Sequence, residues 1–177
     1  MKKALIAAAF LLVPCFSLSA GAQSVLKDHD TYQALDISAE RLELQQKQGR
    51  AIYKGAVQVI QGDMTLTSDI LTVFFESGSE GGNPNISRLD AQGAVKLISK
   101  EKSFSGTGNW GIYDVERRLI TIGGNVVFTQ NNNTLRGSRL EINLETGLAK
   151  LDGQSGGMGT GRVTGTFNVP KKKDSKN

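Results

Sequence analysis

The chain has 177 residues, 21 of them basic and 17 acidic, with a single histidine, a single cysteine and 6% aromatics. One histidine and one cysteine exclude a His/Cys metal centre and a disulfide framework. The basic excess sits at the two ends. Without Lys2, Lys3 and the tail from Lys171 onward, 15 basic residues stand against 16 acidic ones, and no basic stripe with interleaved aromatics marks a nucleic-acid surface.

Residues 1–22 have the form of a secretory signal peptide. Lys2 and Lys3 give the charged start, residues 4–13 the apolar stretch, and Ala20-Gly21-Ala22 the small-residue cleavage site. Ten apolar residues are too few to cross a bilayer, which needs roughly 20. Cys15 offers lipidation as the other outcome, but Pro14 directly before it and the site at Ala22/Gln23 favour simple cleavage. About 155 residues then remain, without cysteine, which fits one domain held by its core alone. Residues 23–34 read as a flexible lead, 35–169 as the domain, and 170–177 as a basic, solvated tail.

From Leu35 to Asp152 nearly everything reads as short strands with two-residue alternation. A half-unit opens the domain, with Ile37 and Leu42 five apart. A block then recurs three times: Gly55-Ala56-Val57-Gln58-Val59, Gly93-Ala94-Val95-Lys96-Leu97 and Gly124-Asn125-Val126-Val127-Phe128. Eleven positions after each opening glycine comes an apolar anchor, at Leu66, Phe104 and Leu135. Leu66 and Leu71, like Leu135 and Leu140, are again five apart. Such internal repetition predicts copies of one β unit, and a glycine mid-strand on the apolar phase predicts a bend or bulge. Turn chemistry separates the strands at Gly62-Asp63, residues 78–85, residues 131–133 and Glu145-Thr146-Gly147. Ala149, Leu151 and Gly153 restart the block, and Val163, Gly165, Phe167 and Val169 alternate as a last strand. One aliphatic row and one polar row fit either a dry two-sheet sandwich or an open jellyroll with a groove. The mid-strand glycines favour curvature, and curvature favours the groove.

Two catalytic patterns are false leads. Gly153-Gln154-Ser155-Gly156-Gly157 fits the nucleophile-elbow pattern, but no helix follows and the only histidine, His29, lies in the polar lead. Gly106-Thr107-Gly108-Asn109-Trp110-Gly111 fits the dinucleotide pattern, yet strand rather than helix follows it. The glycines at 156–159 lack the aspartate of a calcium repeat. Acidic pairs such as Asp36 with Glu40, or Glu141 with Glu145, are simplest as outward strand and turn residues. The sequence is that of a non-enzyme without cofactor or metal.

The chain resembles the OstA-like family over about residues 35–152. The resemblance rests on Asp36-Ile37-Ser38-Ala39-Glu40, Tyr53-Lys54-Gly55-Ala56-Val57-Gln58-Val59, Ile122-Gly123-Gly124-Asn125-Val126, and Leu135-Arg136-Gly137 with Leu140. It implies an all-β fold, a single curved antiparallel β-jellyroll with an apolar interior. It further implies a periplasmic carrier of lipopolysaccharide, with lipid A acyl chains inside and protomers joined edge to edge. The implied partners are an inner-membrane-anchored transport component and the periplasmic domain of an outer-membrane translocon. Residues 35–44 and 162–169 are the expected joining edges.

The inward row expected to meet lipid is Leu35, Ile37, Val57, Val59, Leu66, Leu71, Val95, Leu97, Phe104, Trp110, Ile112, Ile122, Phe128, Leu135, Leu140 and Ile142. A slip of phase at a bulge would turn part of it outward. Two other readings compete. The anchored relative within the family would keep its hydrophobic N-terminus, which N-terminal sequencing of exported protein detects. A structural or adhesion β-repeat module would need more even spacing than 38 residues from Gly55 to Gly93 and 31 from Gly93 to Gly124.

Overall fold

A computed structural model describes residues 30, 33–76, 85–99, 101, 103–153 and 161–168. The signal-like segment, nearly all of the 78–85 loop, the Ser155 motif and the basic tail lie outside these residues. Ten strands join one antiparallel sheet: β1 (Asp36–Ser38), β2 (Arg41–Gln45), β3 (Arg50–Gln61), β4 (Met64–Glu76), β5 (Asn85–Ser99), β6 (Phe104–Asp114), β7 (Leu119–Gln130), β8 (Asn133–Asn143), β9 (Ala149–Asp152) and β10 (Thr164–Thr166). Strands β3 to β8 form an up-and-down meander. β1 and β2 both pair with β3, and β9 and β10 both pair with β8. The sheet therefore has two edges, and each edge is a strand broken in two. The last strand is shorter than the alternation from Val163 to Val169 predicts.

The turns follow their sequences. Gly62 closes β3–β4 with a positive φ of 59°, and Asn131 and Asn132, both left-handed, close β7–β8. Two consecutive left-handed residues are the type I′ pattern, whose twist matches that of the strands it joins.

The repeated glycine block is a repeated β-bulge. At each copy two consecutive residues are left-handed: Gly55 (82°) with Ala56 (43°), Gly93 (77°) with Ala94 (41°), and Gly124 (78°) with Asn125 (52°). Register slips there in every neighbouring ladder, between Lys54 and Val57, Gln92 and Val95, and Gly123 and Val126. A bulge bends its strand and increases its twist, so three in line curve the whole sheet along one crease. Each crease glycine has a polar side chain lying where a Cβ would stand: Glu40, from the break between β1 and β2, at Gly55, Asp69 of β4 at Gly93 and Asn109 of β6 at Gly124. The break between β1 and β2 falls opposite the first bulge, and the break between β10 and β9 faces Gly137 and Ser138.

The crease explains the five-residue spacings. In a regular strand, residues five apart face opposite ways. In β4 the buried residues run Met64, Ser68, then Leu71 and Val73, with Asp69 and Ile70 both exposed between them. Two successive outward residues flip the phase, so Leu66 and Leu71 share the inner face. β8 does the same between Leu135 and Leu140. Charged pairs occupy the outer face, among them Lys54 with Glu43, Arg88 with Asp90 and Arg139 with Glu141. Exposed pairs of this kind add little stability; they mark which face meets water.

Candidate functional site: an apolar trough

Directly opposed residues of an antiparallel ladder share a face, so the register lists the inner face rung by rung. On one side of the crease runs Ile37, Val59, Leu66, Leu97, Gly106, Phe128, Leu135 and Gly165. On the other side runs Leu42, Tyr53, Leu71, Ala91, Gly111, Ile122, Leu140 and Leu151. A parallel rung joins Leu44, Ala51, Val73, Leu89, Tyr113, Ile120, Ile142 and Ala149. Side chains from these rungs form one continuous cluster. Within it the Phe104 and Phe128 rings meet at 5.4 Å between centroids, tilted by 52°, a favourable aromatic geometry.

The structure brings fourteen of the sixteen expected residues onto this face. Val57, Val59, Leu71, Val95, Leu97, Phe104, Ile122, Phe128, Leu140 and Ile142 are buried, and Leu35, Ile37, Leu66 and Leu135 pack against them half-buried. Trp110 and Ile112 are corrections. β6 changes phase between Gly108 and Gly111, so Trp110 pairs with Gln92 and Gly123 on the outer face, and its ring covers Gly123 where a Cβ would be. Ile112 shares the outer register with Asp90 and Thr121, although it still borders the cavity described below.

The eleven-residue offset also fails in the second unit. Phe104 faces inward, but it pairs with Ser99 and Gln130, one rung away from Leu66 and Leu135, and the true counterpart is Gly106. The β5–β6 turn, residues 100–103, is two residues longer than the turns at 62–63 and 131–132. Met64, Val73, Leu89, Tyr113, Ile120, Val126 and Leu144 are inner-face residues absent from the expected row.

The two sides of the folded sheet close on a cavity of about 40 Å³, lined by Leu35, Val59, Gln61, Met64, Leu66, Leu89, Ala91, Leu97, Gly111, Ile112, Tyr113, Ile120 and Ile122. Two hydrogen bonds lie near the β3–β4 turn, one of them from the cavity-lining Gln61. Gln61 Nε2 donates to the Gln33 carbonyl at 3.0 Å, and the Ser99 hydroxyl donates to Asp63. Inside, Tyr113 is 7% exposed and its hydroxyl has no hydrogen-bond partner. Burial raises the Tyr113 pKa above the ordinary 10.0, opposed by the smaller effect of the Arg118 charge. At the edges the inner face stays uncovered: Leu42 and Leu44 on β2, and Val163 and Phe167 flanking β10, are exposed.

Among the described residues, no cluster of three or more His, Cys, Asp or Glu could hold a metal, and no helix is long and apolar enough to cross a membrane. What the arrangement offers is an apolar interior and two open sheet edges.

Comparison with known proteins agrees with this geometry. Residues 36–148 match the model of the LptA/(LptD N-terminal domain) LPS transport protein family. An uncharacterised protein of Rhizobium meliloti is 32% identical over 128 residues, covering 70% of this chain and 68% of that protein. Among solved structures, the fold resembles that of Pseudomonas aeruginosa LptH, the LptA-homologous periplasmic component of the lipopolysaccharide transport device. The TM-score is 0.68 at 20% identity, over 80% of this chain and 99% of that one. A curved all-antiparallel sheet, a family match across most of the folded region and a transport role in place of an enzymatic one converge: this chain belongs to the LptA/LptD N-terminal-domain family of lipopolysaccharide transport proteins.

Proposed function

We propose that this protein is the periplasmic bridge component of lipopolysaccharide transport, exported by a signal peptide cleaved near Ala22/Gln23. It holds lipid A acyl chains in the trough and passes them along protomers joined edge to edge. The observation that carries the reading is the continuity of the apolar rungs from one open edge to the other, with exposed apolar side chains at both ends. Each methylene taken from water into such a face contributes about 0.8 kcal/mol without directional chemistry. The open edges suit extension by another sheet: β1 and β2 on one side, β9 and β10 on the other. The partners are then a second copy, an inner-membrane-anchored component at one end and an outer-membrane translocon domain at the other.

A cavity of about 40 Å³ is the size of one to a few water molecules, far below what an acyl chain needs. Loading therefore requires the two sides of the crease to move apart.

The test is site-specific photo-crosslinking to lipopolysaccharide. Probes at Leu97 and Phe128, on the inner face, are expected to crosslink, and probes at Gln58 and Lys96, which share an outer rung with Thr67, are not. Folded protein that crosslinks at none of the four would overturn the carrier reading and leave a structural β module.

A further inference from the structure

Two polar side chains border the cavity, Gln61, which is hydrogen-bonded, and Tyr113. Tyr113 sits on the rung between Leu89 and Ile120 and is 7% exposed. Its hydroxyl is the one buried side-chain polar atom without a hydrogen-bond partner among the described residues. Of the other buried polar side chains, Gln61, Ser68 and Ser99 have hydrogen-bond partners.

A buried, unpaired hydroxyl costs the folded protein more than a phenylalanine at the same place would. Nothing in the packing needs the oxygen. Leu89, Ala91, Ile120 and Ile122 around the cavity would accept a plain ring equally well. A polar atom retained at a net cost inside a binding cavity fits a partner that arrives with the ligand.

We infer that Tyr113 is a specificity residue that hydrogen-bonds a hydroxyl carried on a bound acyl chain, so that the trough prefers hydroxyacyl chains over plain ones. The inference rests on the acyl-carrier reading and deepens it. A plain hydrocarbon chain leaves the phenol unpaired, whereas a chain hydroxylated near its head brings both a donor and an acceptor to it. The surrounding apolar wall excludes competing water and strengthens that one bond. Discrimination of this kind, built on a polar group that one ligand satisfies and another does not, exceeds what an extra methylene can give.

The experiment compares 3-hydroxytetradecanoic acid with tetradecanoic acid as displacers of a fluorescent apolar probe, on the wild-type protein and Tyr113→Phe. Wild type is expected to bind the hydroxy acid about fivefold more tightly, the worth of one net hydrogen bond. Tyr113→Phe should bind both acids alike, with the plain acid as tight as or tighter than in wild type. The ligand-free variant should also melt about 3 °C higher, because an unpaired hydroxyl has gone. Equal affinities in wild type, or a preference that survives in Tyr113→Phe, would overturn the assignment while leaving the trough reading intact. Displacement by neither acid would overturn both.

Discussion

Gly93→Ala tests whether the crease is built as described. At φ 77° an alanine carries the left-handed penalty of about 1–2 kcal/mol. It also meets Asp69: the new Cβ would collide with the carboxylate and lie 2.9 Å from the Asp69 Cβ, and overpacking of this kind adds about 1–3 kcal/mol. The expected loss is about 2–5 kcal/mol. Asp69→Ala removes the carboxylate but keeps that Cβ. In its background Gly93→Ala should cost less by about 1 kcal/mol or more, the coupling expected of residues in direct contact. Urea unfolding of the four members of this cycle, followed by circular dichroism, measures both terms. A Gly→Ala change at a position that tolerates it stabilises by about 0.4–1 kcal/mol. A neutral or stabilised Gly93→Ala protein would refute the left-handed bulge, and a penalty unchanged by Asp69→Ala would refute the contact.

Leu71 is 0% exposed and Leu44 63% exposed, although both face the inner side. Leu71→Ala should cost about 3–5 kcal/mol in urea unfolding, whereas Leu44→Ala should change stability by less than about 0.5 kcal/mol and instead weaken self-association measured by light scattering. Equal effects of the two on unfolding would contradict the edge placement. Tyr113 gives a pH dependence with a defined sign. Its pKa is raised in the folded state, so the unfolded chain loses this proton first as pH rises. Stability is complete below the unfolded pKa of about 10 and falls above it. Thermal melts between pH 9 and 11 should show a steeper alkaline loss for wild type than for Tyr113→Phe, and parallel curves would contradict the burial.

The fold class was legible because its signals repeat. Three glycines on the apolar phase foretold three bulges, and the turns carry their ordinary chemistry. The inner face was legible wherever both sides of the crease bear large apolar residues, as in β4 and β8. The residues placed on the wrong face are confined to β6, and the cause is physical. The five-residue step that links Leu66 to Leu71 and Leu135 to Leu140 links Gly106 to Gly111 there, and glycine leaves no hydrophobic mark. Strict alternation then followed the visible apolar residues, Trp110 and Ile112, onto the wrong face. Tyr113 escaped notice for the same reason, since an inverted phase sent it to solvent. The step from Ile37 to Leu42, read as a half-unit, turned out to be a whole edge strand interrupted at the crease.

The glycines of β6 set the calibre of the trough by omission. Gly106 leaves its space to Ile122, Leu140 and Phe104, whose atoms lie 3.2–3.5 Å from where a Cβ would stand, and at Gly111 the nearest is Val95 Cγ1 at 3.2 Å. Gly111 has no left-handed φ and borders the cavity, so a methyl there keeps the backbone conformation, presses on Val95 and narrows the lumen. One strand thus gauges the trough: its two inner-face glycines decide how much room the opposing side chains leave.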